Sequence, residues 1–206
     1  MAEKAEDAEA KGPAGEQAAL ATTAMLKAFT HPLRRRILRL LGKREYLRAA
    51  DAAEALGVPA NKVSFHMRVL ADAGLLVEAP EFARDRRDRV WKGQSASVKL
   101  GGPEAPIDDP ALGDAVLAAL IDDHQDLVRR MVSWTPDYMA GRTTELHAEF
   151  SQKTLRLTEA EFVALLERID EVTREFSEAH DLAHPDRDDP ETRIWNIDII
   201  AADDTI

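Results

Sequence analysis

The chain of 206 residues has no cysteine. Disulfide staples, thiolate metal sites and cysteine nucleophiles are therefore excluded, and a reducing compartment is allowed but not proved. No apolar run approaches the length that spans a bilayer, and the opening MAEKAEDAEAKGPAGEQ lacks the apolar stretch a secretory signal needs. A cytoplasmic protein with no membrane partner is the expectation. Phosphate loops, nucleophile elbows and zinc-hydrolase helices are missing as well, and no internal repeat is present. Neither an enzyme activity nor a cofactor is expected.

What the chain does have is an uneven distribution of charge. Its formal net charge is -11, yet residues 27–92 carry 15 Lys plus Arg against 8 Asp plus Glu, or +7, and the remainder carries 12 against 30, or -18. A polyanion would be drawn to the first part and repelled by the second. Solvated charged faces on two ordinary domains would give the same count, so charge alone does not decide.

Residues 1–17 offer almost nothing large and apolar to offset chain entropy, and a disordered tail is expected there. The pattern of 18–29 predicts a helix with Leu20, Met25, Leu26 and Phe29 on one face. Thr30 or His31 is placed to cap a second helix, with Pro32 in its first turn and Leu33, Ile37, Leu40 and Leu41 at helical spacing. A third helix over about 48–56 ends at Gly57. A fourth over 60–73 ends at Gly74 and carries Val63, Met67 and Leu70 as a narrow apolar stripe. Extended candidates at 75–80 and 89–92 flank the polar EFARDRRD, the pattern of a wing hairpin. The Gly, Pro and Ser of 93–110 read as a linker. Beyond it, Leu112, Val116, Leu120, His124, Leu127, Met131 and Trp134 predict a long helix reaching Thr135-Pro136. Residues 150–157 look extended. Thr158 and Glu161 have capping-box spacing for a helix with the stripe Phe162, Leu165, Leu166, Ile169, Val172 and Phe176, and 194–199 alternates like a strand.

Burying Val63, Met67 and Leu70 turns Asn61, Lys62, Ser64, Phe65 and Arg68 outward. Asn can bond adenine bidentately, Arg or Lys can bond guanine, Ser can donate to phosphate or base, and Phe can touch a thymine methyl. The helix N-terminus adds partial positive charge. Arg84, Arg86, Arg87 and Arg89 in the wing are suited to clamping the flanking backbone or entering a minor groove.

HPLRRRIL, AADAAEALGV, NKVSFHMRVLADAGLL and RDRRDRVWK, in that order and at that spacing, resemble the winged helix-turn-helix of the arsenical-repressor (ArsR) family of bacterial transcriptional regulators. The resemblance covers residues 18–92. It implies a homodimer on double-stranded DNA, with paired helices in successive major grooves and half-sites about 34 Å apart. The best known members sense metals through a Cys-containing motif, and without Cys that route is excluded here. The match is closer to the larger, cysteine-free relatives with a C-terminal extension. The expected fold is mainly α with small β elements. A winged helix-turn-helix occupies 18–92, and a C-terminal α/β domain of long helices and a small sheet occupies 111–206, serving dimerisation and offering an apolar cavity to a small-molecule effector.

Several residues carry competing readings. The Arg34 to Arg36 run either touches phosphate or forms a solvated helix face. His66, beside the buried stripe, reads as structural, and His124 as a packed or interface histidine instead of a pH switch. Asp122, Asp123 and His124, with His180 and His184, include zinc-type donors, but His pairs at i and i+4 are common and no metal is expected. The alternative function is a winged-helix module that binds a protein partner through its acidic half and not DNA.

Overall fold

The structure is a computed structural model that describes residues 19–85, 88–94, 98–102, 106–179 and 193–205. The expected tail over 1–17 lies outside the described residues, as do Arg86, Arg87, His180 and His184.

Helix α1 is Thr23–Phe29, five residues shorter at its start than the apolar pattern of 18–29 suggests. The Thr22 hydroxyl accepts the Met25 N–H at 3.2 Å and fixes that start. The preceding Ala19–Leu20 is a short strand, β1, paired in parallel with β5, Val98–Lys99. Part of the stretch that composition marks as a linker therefore folds back against the N-terminal unit. Helix α2, Pro32–Leu41, is capped by His31, whose Nδ1 accepts the Leu33 N–H at 3.1 Å, and Pro32 occupies the first turn, where its missing N–H costs nothing.

Helix α3, Ala49–Leu56, and helix α4, Ala60–Asp72, meet across Gly57 at φ +64°, a left-handed conformation that glycine adopts without a side-chain penalty. The two expected wing strands are β3, Leu76–Glu78, and β4, Val90–Gly93, and a short strand that the sequence reading missed, β2, Leu47–Arg48, joins them in the antiparallel order β2-β4-β3. The register pairs Leu47 with Trp91, Arg48 with Val90 and Glu78 with Trp91. One core joins these elements. Leu33, Ile37 and Leu41 of α2, Ala52 of α3, and Val63, Met67 and Leu70 of α4 close on Leu47, Leu76 and Trp91.

Helix α5, Pro110–Met139, packs its first turns onto α1, where Leu112 and Val116 enclose Leu26. It does not stop at Pro136. The ring removes one internal N–H, but so close to the end that the helix runs one more turn before Gly141 at φ +67° turns the chain. Helix α6, Glu159–Ala179, opens with the expected capping box: Thr158 N–H donates to Glu161 Oε2 at 2.8 Å and Glu161 N–H to Thr158 Oγ1 at 3.3 Å.

The C-terminal sheet is where expectation and structure part. Among the described residues, 150–157 and 194–199 form no strand. Alternation gives a segment two faces, but a strand also needs a ladder partner for its backbone groups. At the start of the last segment Arg193 donates to Leu146 O at 3.3 Å and to Glu145 Oε2 at 3.2 Å, and further along Asp198 lies beside His124 of α5. Among the described residues no helix is long and apolar enough to cross a membrane.

Candidate nucleic-acid interface

Helix α4 presents two unlike faces because its apolar residues recur with the helical period. Val63, His66, Met67 and Leu70 are buried. Asn61, Lys62, Phe65 and Arg68 are exposed, and Ser64 is half-buried. The face is not empty of internal bonds. Asn61 Oδ1 accepts the Lys62 N–H at 2.8 Å, and Arg68 Nε makes a long 3.4 Å contact to Ser64 O. Both bonds are exposed and exchangeable for a ligand. Phe65, 54% exposed, meets the His66 ring edge-on at 5.2 Å. In the wing, Arg84 and Arg89 are exposed, and Arg89 lies 3.7 Å from Glu78.

The basic run of α2 is divided: Arg35 is buried, Arg34 half-buried and Arg36 exposed, so the solvated-face reading fails at Arg35. Arg35 is 3% exposed and lies against α5, where Nε donates to Asp123 Oδ1 at 3.0 Å and Nη2 bonds Asp122 Oδ2. Arg34 donates to the carbonyls of Ala28 and Lys27, closing the end of α1, and Arg36 donates to Leu56 O at the end of α3. Arg39 sits 3.5 Å from both Asp123 and Asp126. The sequence count of +7 therefore overstates the charge offered to a ligand. It was the acidic pair Asp122-Asp123, considered in sequence as metal donors, that signalled a buried cation.

Residues 29–79 match the profile of a family described as a helix-turn-helix domain. The matched stretch runs from the end of α1 through α2, α3 and α4 to β3. No curated protein matches the chain. Among solved structures the chain is similar to the YusO protein from Bacillus subtilis at 17% identity, covering 73% of this chain and 79% of that one with a TM-score of 0.33. A possible transcriptional regulator for arsenical resistance matches at 24% identity over 60% of this chain and 100% of that one, TM-score 0.31. The AntR antimony-specific transcriptional repressor matches at 20% identity over 56% and 95%, TM-score 0.32. Superposition is loose in each case, so the functional reading stands on the helix-turn-helix and its surface chemistry.

Beneath the helix-turn-helix, His66 of α4 packs on His31, the cap of α2, with ring centroids 4.4 Å apart. Both imidazoles are held below the usual range. Burial is the main cause for each, followed by Arg34 for His31 and by His31 for His66. His66 Nδ1 is buried without a hydrogen-bond partner.

His124 lies on the seam of α5 with Nδ1 3.4 Å from Asp198 but outside hydrogen-bond geometry. Among the described residues no three His, Cys, Asp or Glu side chains gather as metal ligands would.

Proposed function

We propose that the protein is a sequence-specific transcriptional regulator, a repressor, that binds double-stranded DNA as a homodimer and resembles the cysteine-free ArsR-like regulators with a C-terminal extension. Helix α4 enters the major groove with Asn61, Lys62, Ser64, Phe65 and Arg68 at base edges and phosphates. Arg84, Arg86, Arg87 and Arg89 of the wing hold flanking backbone. The observation that carries this reading is the outward face of α4: four polar or aromatic side chains stand exposed on a helix whose other side is locked into the core. Residues 18–92 are the DNA-binding unit, and 111–206 are the dimerisation part, with room for a small-molecule effector. The partner copy is asked to cover the apolar residues that α5 and α6 leave exposed, such as Val132, Phe162 and Phe176.

Fluorescence anisotropy with a duplex from the protein's own promoter, titrated across salt, tests the reading. Affinity should fall steeply, with about one unit of log-log slope for each phosphate neutralised. Arg68→Ala should relax base preference, costing about 1–3 kcal/mol on the preferred site, whereas Arg86→Ala should weaken all sequences alike. No binding to any promoter fragment at low salt would leave the alternative, a winged-helix protein-interaction module. The exposed apolar groups of the acidic half are what favour that second reading.

A further inference from the structure

The wing of this chain contains acids where DNA contact would call for none. Asp88 sits among Arg84, Arg86, Arg87 and Arg89 in RDRRDR. Its neighbours show what it does. Arg48, which ends β2 directly before α3 and pairs with Val90 of the wing, is buried, and its Nε donates to Asp88 Oδ2 at 2.9 Å while Nη2 donates to Phe82 O at 2.6 Å. The guanidinium lies 4.9 Å from the centre of the Tyr46 ring, and Tyr46 in turn stacks on Phe82 at 4.5 Å. The same Asp88 oxygen accepts the Arg84 N–H at 3.0 Å. Asp88 is held below the usual carboxylate range by the Arg84 backbone N–H and by Arg48, so it stays ionised. One carboxylate thus joins both ends of the wing turn to a buried cation rooted in the helix-turn-helix.

We infer that Arg48 and Asp88 are positioning residues of the DNA interface, a clamp that holds the exposed Arg84 and Arg89 where flanking phosphates lie. This rests on the DNA-binding reading above. Neither residue touches DNA: Arg48 is buried, and Asp88 would repel a phosphate. The clamp fixes the backbone from which the contacting arginines project, and a guanidinium fork gripping one carboxylate and one carbonyl fixes it in direction as well as distance.

The inference gives a sign opposite to simple electrostatics. Removing a negative charge from a DNA-binding face ordinarily tightens binding. Exposed Glu78, 3.7 Å from Arg89, provides that comparison. Binding of a promoter duplex across salt is measured for wild type, Asp88→Ala, Asp88→Asn, Glu78→Ala and Arg48→Lys. Glu78→Ala should bind more tightly than wild type. Asp88→Ala should bind about tenfold more weakly, with a log-log salt slope smaller by about 1–2, because up to two wing contacts are lost. Discrimination between operator and unrelated duplex should hardly change. Asp88→Asn, which keeps an acceptor, should recover most of the loss. Arg48→Lys keeps the net charge and loses the fork, so binding weakened about tenfold there, with the same smaller salt slope, supports the clamp even if the alanine variant fails to fold. A merely structural clamp would lower the melting temperature and all binding together, with the salt slope unchanged, and that result overturns the inference. So does an Asp88→Ala protein that folds and binds as tightly as wild type. A wild type that binds no duplex overturns the DNA-binding reading itself.

Discussion

The two halves of the molecule treat their apolar residues in opposite ways. Among the described residues, every one fully withdrawn from solvent lies at or before Ala119. In the first half, the stripes of α2 and α4 close on one another and on the small sheet, leaving Ile37, Val63, Met67 and Leu70 at zero exposure. In the second, the equally regular stripe of α6 stays open, with Phe176 68% exposed, and Trp195 and Ile197 near the end are also exposed. The difference is one of partners and not of pattern. An amphipathic helix specifies a face that must be covered, but coverage comes from whatever lies within reach. Short connections in the first half bring α2, α3 and α4 together, whereas α6 is separated from α5 by 19 residues without regular structure.

The largest effect with which to probe this contrast is expected at Met67. Met67→Ala removes a side chain at zero exposure from the centre of the core and should cost about 2–5 kcal/mol, enough to unfold much of the helix-turn-helix. Phe176→Ala should cost under about 1 kcal/mol in a single copy, because most of that ring already faces water. Urea unfolding at two protein concentrations separates the cases. A Met67→Ala cost independent of concentration, beside a Phe176→Ala cost that appears only as concentration rises, marks α6 as covered by a second copy. A large concentration-independent cost at Phe176 would break the comparison.

An intermediate effect is expected where the halves meet. Arg35→Met removes the guanidinium that joins α2 to Asp122 and Asp123 of α5. A buried, charged donor lost in this way would cost several kcal/mol, but Asp122 is largely exposed and its freed charge returns to water, which lowers the expectation to about 1–2 kcal/mol. Amide exchange should rise over residues 112–126 while the amides of α4 stay protected. Equal loosening of α4 would mean that the contact belongs to the core and not to the junction.

Legibility followed the same division. The four N-terminal helices, the wing strands and the buried partners Val63, Met67 and Leu70 were readable because local period and adjacent elements determine them together. Gly57, Gly74, a cap at Thr30 or His31 and the Thr158-Glu161 box were readable because each acts on its own backbone neighbourhood, and the structure selects His31. Arg35 was not, since its partners lie 87 and 88 residues away and nothing local separates a solvated arginine from one drawn inward. The extended reading of 150–157 and the strand read from alternation at 194–199 failed for the converse reason: the local pattern was present and the pairing was not. For the interface, exposure of Asn61, Lys62, Phe65 and Arg68 followed from burying the opposite stripe, whereas the Arg48-Asp88 tie gave no sequence signal beyond an acid in a basic wing.

The smallest effect is a dependence on pH, and it too should be confined to one half. His31 and His66 stack beneath α4, both held below the ordinary imidazole value mainly by burial. The unfolded chain takes up protons near the ordinary value of about 6.5, while the folded chain resists until a lower pH. Between those points the unfolded state binds more protons, so stability is complete above about pH 6.5 and is lost as pH falls through the folded values. Protonating His31 also turns Nδ1 from an acceptor into a donor, which removes the cap on the Leu33 N–H at the start of α2. The urea midpoint should hold steady from about pH 8 to 7 and decline from about 6.5 to 5, with a shallower decline in His66→Gln. Amide exchange should quicken in α2 and α4 over that range and stay unchanged in α6, which no part of the imidazole pair touches. An equal response in α6 would place the acid sensitivity elsewhere and remove the histidine pair as its cause.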